Sequence, residues 1–116
     1  LIVLTDLSDM LAIYWGMAGG RWVVRLCGEL DISSAERLFG AVVMGRRVAG
    51  VRHVAVDLSE VTFADPGGLH PLIAAHLLLS SAGCGLSVEG AVGHVAELFT
   101  LTGLAELCGG PPPRSR

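Results

Sequence analysis

Apolar residues along the chain change their spacing several times, and each change marks an element. Leu11 to Gly16 and Trp22 to Leu26 are aliphatic and aromatic runs separated by Ala18-Gly19-Gly20, where glycine supplies positive φ, so they predict a hairpin. Gly28-Glu29-Leu30-Asp31 closes the second strand, and Ser33 or Ser34 is placed to cap a helix. In that helix Ala35, Leu38, Phe39, Val42 and Val43 keep the i, i+3, i+4, i+7, i+8 spacing of an amphipathic stripe.

His53 to Leu58 is a short, nearly all-apolar run, as expected of an interior strand, and Val61-Thr62-Phe63 reads as a link. The breaker cluster Ala64-Asp65-Pro66-Gly67-Gly68 precedes Leu69, Leu72, Ile73 and Leu77 at helical spacing. Pro71 lacks an N–H and must lie in the first turn, which puts the first helical residue near Gly68. Leu86 to Glu89 alternates as a last strand, and Val92, Val95, Ala96, Leu98 and Phe99 form a third helix. The expected fold class is therefore α/β, a small mixed sheet of about four strands with helices crowded mainly on one face.

Length allows one domain, expected over residues 1–108 with its core over 21–107, followed by a flexible Gly/Pro-rich tail over 109–116. Leu1 in place of methionine is compatible with a fragment, a processed form, or a misassigned start with Met10 as the true one. The chain is 52% hydrophobic and 16% charged, far from a disordered composition. A net charge of −3 provides no overall basic footprint, so no nucleic-acid partner is expected.

Residues 66–88 lack Asp, Glu, Lys and Arg, but the prolines, histidines and glycines among them argue against a membrane span, and Leu1 to Met17, with no basic start and with Asp6 and Asp9 inside it, is not expected to be an export signal. No direct membrane insertion is expected. Cys27, Cys84 and Cys108 are odd in number and have no Cys-x-x-Cys pairing, as for reduced thiols in a cytoplasmic protein. His53, His70, His76 and His94 lack tight ligand spacing except for His70 and His76, which at six apart fall on different sides of a helix, so neither a metal nor another cofactor is expected.

Four landmarks occur in order: Gly28-Glu29-Leu30-Asp31; Val56-Asp57-Leu58-Ser59 with Val61-Thr62-Phe63; Asp65-Pro66-Gly67-Gly68-Leu69; and Leu98 to Leu107 with Leu101-Thr102-Gly103-Leu104. Over Arg21 to Leu107 the chain thereby resembles the STAS domain, the fold of bacterial anti-sigma-factor antagonists and of sulfate-transporter-like permease tails. That resemblance implies a non-enzymatic domain that docks on an anti-sigma factor of the serine-kinase type and so regulates sigma-dependent transcription indirectly. Partner binding would fall to Asp31, Ser33, Asp65, Pro66, Gly67, Gly68 and Leu69.

In the family's switching members the helix opens with Asp-Ser-Ser-Gly-Leu, and the second serine is phosphorylated. Here those serines are Pro66 and Gly67. Glycine has no hydroxyl to esterify, so the ~1.5 to 2 negative charges of a phosphate cannot be placed there. Ser59 and Thr62, just upstream, are the candidate substitute phosphorylation sites, against a plainer role in satisfying local backbone groups.

Other readings carry less. Asp31 and Asp65 at one end of the sheet form a conceivable catalytic pair, but capping explains both and no nucleophile accompanies them. The helix start near Gly68 lacks the phosphate-loop pattern required for a nucleotide. Leu77-Leu78-Leu79 cannot all face inward, so at least one leucine is assigned to an apolar contact patch or a homodimer. The competing function is a STAS regulatory or scaffold domain in a transporter or lipid-trafficking complex.

Overall fold

The computed structural model describes residues 2–7 and 10–104. In chain order the strands are β1 (Ile2–Leu7), β2 (Leu11–Ala18), β3 (Arg21–Leu30), β4 (His53–Ala64) and β5 (Gly85–Glu89). The helices are α1 (Ala35–Val43), α2 (Pro66–Leu69), α3 (Pro71–Ser81) and α4 (Gly93–Thr102). Short 3-10 turns, Ile32–Ser34 and Met44–Arg47, flank α1.

The strands lie in the order β1-β2-β3-β4-β5. The β1/β2 and β2/β3 pairs are antiparallel, whereas β3/β4 and β4/β5 are parallel, joined by helical crossovers. The α/β class with a mixed sheet is as the periodicity predicted.

The sheet has five strands where about four were expected, because Ile2–Leu7 pairs with β2 at the edge. Strand pairing is made by main-chain groups, so a short edge strand leaves little trace in the spacing of apolar residues. The second difference lies in β4, which continues through the supposed link at Val61 to Phe63 and ends at Ala64. Register shifts against β3 between Arg25 and Cys27 and again between Gly28 and Glu29 break its alternation, hiding the strand from a period-two reading.

One face of the sheet carries the core. Trp22, Val24 and Leu26 of β3 and Val54, Val56 and Leu58 of β4 pack with Leu38 and Val42 of α1, Leu69 of α2, Leu72 and Leu79 of α3, and Val95 and Phe99 of α4 in a single apolar cluster. Fully burying a leucine or valine of this kind contributes about 1.5–3 kcal/mol, so this cluster supplies the main drive to fold. The Trp22 indole N–H donates to the Ala41 carbonyl at 3.0 Å, fixing α1 on the sheet.

The residues of opposite parity are more polar. Arg21 pairs with Glu89 at 2.8 Å, Ser87 bonds both His53 Nε2 at 2.8 Å and Glu89 at 3.2 Å, and Arg25 lies 5.6 Å over the Tyr14 ring. Among the leucines of α3, Leu79 is buried while Leu77 is 63% exposed, as three consecutive leucines on one helix require.

Candidate functional site

The parallel β3/β4 pair ends level, with Leu30 opposite Ala64, so the next residues, Asp31 and Asp65, emerge side by side. The Asp65 N–H donates to the Leu30 carbonyl at 3.2 Å, stitching the two loops together. Each aspartate then caps the helical segment that follows it.

Asp31 Oδ1 accepts from the Ser33 N–H at 3.0 Å and from the Ser33 hydroxyl at 2.6 Å. Ser34 Oγ accepts from the Asp31 N–H at 3.2 Å and donates to the Asp31 carbonyl at 2.9 Å, completing a reciprocal box. The Ser33 hydroxyl bond is the main cause that lowers the Asp31 pKa; desolvation opposes it next, and the backbone N–H donors add to the lowering. Asp65 Oδ1 accepts from the Gly68 N–H at 2.8 Å, and Pro66 occupies the first helical turn, where its missing N–H costs nothing.

The helical path therefore begins at Pro66 instead of Gly68, and Pro71 opens α3 with only His70 between it and the end of α2. Asp65 as cap and a proline directly after it move the start two residues earlier than Pro71 alone implied.

The two glycines of α2 differ in their surroundings. A Cβ on Gly68 would lie 2.3 Å from the Leu30 carbonyl oxygen and 2.8 Å from the Asp31 nitrogen, so this residue lets α2 sit directly on the end of β3. A Cβ on Gly67 would lie 3.1 Å from Ile32 Cβ and 3.4 Å from Asp65 Oδ1, a tight but less obstructed position. Leu69 is fully buried and anchors α2 from below, whereas Pro66 is exposed.

Between the first 3-10 turn and α2 runs an open groove of about 460 Å³, lined by Ile32, Ala35, Pro66, Gly67, His70 and Pro71. Beside it a second depression of about 320 Å³ is bordered by Met10, Glu29, Asp31, Ser33 and Arg37. Ile32, 74% exposed, forms the ridge next to Gly67, and sequence reasoning passed it over. Its signal was an apolar residue set among the capping residues Asp31, Ser33 and Ser34. Phe63, 42% exposed and 5.6 Å from the His94 ring, extends the apolar surface at the end of β4.

Asp31, Ser33 and residues 65–69 are thus brought to one end of the sheet. Ser59 and Thr62 are exposed on β4 itself: the Ser59 N–H donates to Asp57 Oδ1 at 2.9 Å, and the Thr62 hydroxyl donates to the Gly28 carbonyl at 3.3 Å. Cys27 and Cys84 are free thiols, and burial raises the pKa of Cys84; Cys108 lies outside the described residues. Among the described residues no three His, Cys, Asp or Glu side chains gather to hold a metal, and no helix is long and apolar enough to cross a membrane.

Known proteins share this fold. The family described as "Mlab, STAS domain" matches residues 15–109. An anti-sigma factor antagonist from Mycobacterium paratuberculosis is 27% identical, with a TM-score of 0.72 over 91% of this chain and 86% of that one. The anti-sigma factor antagonist SpoIIAA in its unphosphorylated form is 19% identical, with a TM-score of 0.70 over 82% of this chain and 84% of that one. The murine anion transporter Solute Carrier 26 family member A9 contains the same fold, with 19% identity and a TM-score of 0.66 over 78% of this chain but only 15% of the transporter.

Proposed function

The chain belongs to the STAS domain family, and from that premise we propose that it acts as an anti-sigma-factor antagonist, a non-enzymatic domain that binds a protein partner. It docks on an anti-sigma factor of the serine-kinase type through Asp31, Ser33 and the segment Asp65 to Leu69, and so regulates sigma-dependent transcription indirectly from the cytoplasm. The observation that carries this reading is the joined end of β3 and β4, where two capped loops flank an apolar groove ridged by exposed Ile32. Likeness to the mycobacterial antagonist supports the choice of partner.

Gly67 occupies the position at which switching relatives carry the phosphoacceptor. Without a hydroxyl it cannot receive the phosphoryl group that a kinase partner would transfer, so docking here is constitutive. Ser59 and Thr62 are the proposed alternatives should phosphate be accepted elsewhere. The functional domain is taken as residues 1–108 with 109–116 as a tail, all of which lies outside the described residues.

The test is a binding titration of the wild type, Gly67→Ser and Gly67→Asp against anti-sigma factors encoded in the same genome, with and without ATP. Wild-type binding that ignores ATP, Gly67→Ser binding that ATP abolishes, and loss of binding in Gly67→Asp are the expected results. Failure of the wild type to bind any of them overturns the reading.

The second reading, a regulatory or scaffold domain of a transporter or lipid-trafficking complex, draws on the Solute Carrier 26 likeness. Capture of membrane-transport components by the wild type favours it.

A further inference from the structure

Charge is sorted along the strands. Glu29, Asp31, Glu60 and Asp65 stand at or near the C-terminal ends of β3 and β4, while Arg21, Arg46, Arg47 and Arg52 gather where those strands begin. Gly45 fixes the placement of Arg46 and Arg47. It packs so closely on Trp22 and Val54 that a Cβ there would lie 2.6 Å from the indole and 2.9 Å from Val54 Cγ2. Arg52 is tied to the same end by its carbonyl, which accepts from the Gly85 N–H at 3.0 Å where β5 starts.

Arg46, Arg47 and Arg52 are exposed, and Arg21 pairs with Glu89. Residues 37–56 contain no Asp or Glu, and neither do the turns at Gly19-Gly20 and Ala82 to Gly85 at this end. The local surface is therefore cationic although the chain carries −3 overall. Met44 precedes Gly45, Met17 pairs with Trp22 across the hairpin, and each is 37% exposed, so thioethers border the arginines.

The ten residues of β3 separate the two ends by about 30 Å at ~3.3 Å per residue. That separation exceeds the ~8 Å screening length of physiological salt several-fold, so the acidic end does not neutralise the basic one.

We propose that this arginine end is a peripheral binding surface for an anionic lipid bilayer. Guanidinium groups present a planar fork of donors to phosphate oxygens, and all eight cationic side chains of this sequence are arginine. A bilayer is a broad anionic plane that Arg46, Arg47 and Arg52 can meet together, with Met17 and Met44 entering the headgroup boundary. Nucleic acid shares the phosphate chemistry, but Trp22 is buried and offers no platform on which the bases of a single strand could stack. Binding at this end leaves the groove at the opposite end open to a protein, so the inference stands apart from the proposed docking partner.

The test is sedimentation of the full chain with vesicles of phosphatidylcholine alone or mixed with phosphatidylglycerol. Retention is expected on the mixed vesicles only and is lost in ~1 M salt, where screening shortens to ~3 Å. Each arginine removed lowers the partition coefficient about fivefold, so Arg46→Ala, Arg47→Ala and Arg52→Ala together lower it roughly a hundredfold. Circular dichroism checks that this triple variant remains folded, and Arg114→Ala with Arg116→Ala keeps wild-type retention. Equal retention on neutral vesicles overturns the proposal, as does no retention on either kind, loss with the tail variant but not the triple variant, or tighter binding to duplex DNA than to the mixed vesicles.

Discussion

Replacing Gly68 by alanine tests how α2 is seated. The added Cβ meets main-chain atoms, at 2.3 Å from the Leu30 oxygen, 2.5 Å from the Leu30 carbon and 2.8 Å from the Asp31 nitrogen, and no flexible side chain can swing aside. The helix must lift from the end of β3. Overpacking of this kind costs about 1–3 kcal/mol. Lifting also stretches the Asp65 N–H bond to Leu30 and disturbs the Asp65 cap on Gly68, each contributing about 1 kcal/mol.

Alanine's higher helix propensity returns at most ~1 kcal/mol, leaving a net destabilisation of about 2–4 kcal/mol. At roughly 4 °C per kcal/mol for a domain of this size, the melting midpoint should fall by about 8–16 °C. Gly67→Ala is the matched control, because its Cβ meets the exposed Ile32 at 3.1 Å and gains the same propensity, so a change within about 1 kcal/mol is expected. Urea unfolding followed by the fluorescence of Trp15 and Trp22 measures both. A Gly68→Ala cost below about 1 kcal/mol, or one equal to that of Gly67→Ala, refutes this seating of α2.

Two further outcomes follow from the same geometry. The lowered Asp31 pKa means that its contribution is present above the unfolded value of 3.8 and is lost as pH falls through the folded value. Urea midpoints measured on descending pH should therefore decline less steeply through that window in Asp31→Asn than in the wild type. Leu79→Ala removes a fully buried side chain and should cost about 2–5 kcal/mol, whereas Leu77→Ser on the exposed face should stay within about 0.5 kcal/mol. Thermal melts of the two variants compare them directly.

Periodicity made the hairpin, α1 and the body of α3 legible because each buries one regular stripe in the shared core. It lost β4 past Leu58, where two register shifts interrupt the alternation, and β1, which adds to the sheet by main-chain pairing. The capping roles of Asp31 and Asp65 were readable from residue type, since short acidic side chains before helical spacing have few other uses. Their adjacency was implied by the parallel crossover. What the sequence could not indicate was the direct contact of Gly68 with Leu30, or the ridge that Ile32 makes beside Gly67, because both depend on how closely two loops distant in the chain approach.

The strictly sequential strand order has a consequence for how the chain acquires its structure during synthesis. Every strand pairs with the one made just before it, so no strand has to be threaded between two already joined. Growth can proceed by accretion from the N-terminal hairpin, with loop closure kept short at each antiparallel step and longer only at the two helical crossovers. The β3/β4 junction is completed midway, before β5 exists to cover the far edge of β4. The residues that line the groove, Ile32 to Pro71, are therefore all synthesised before β5, and the last strand and helix complete the core beneath an end whose residues are already in the chain.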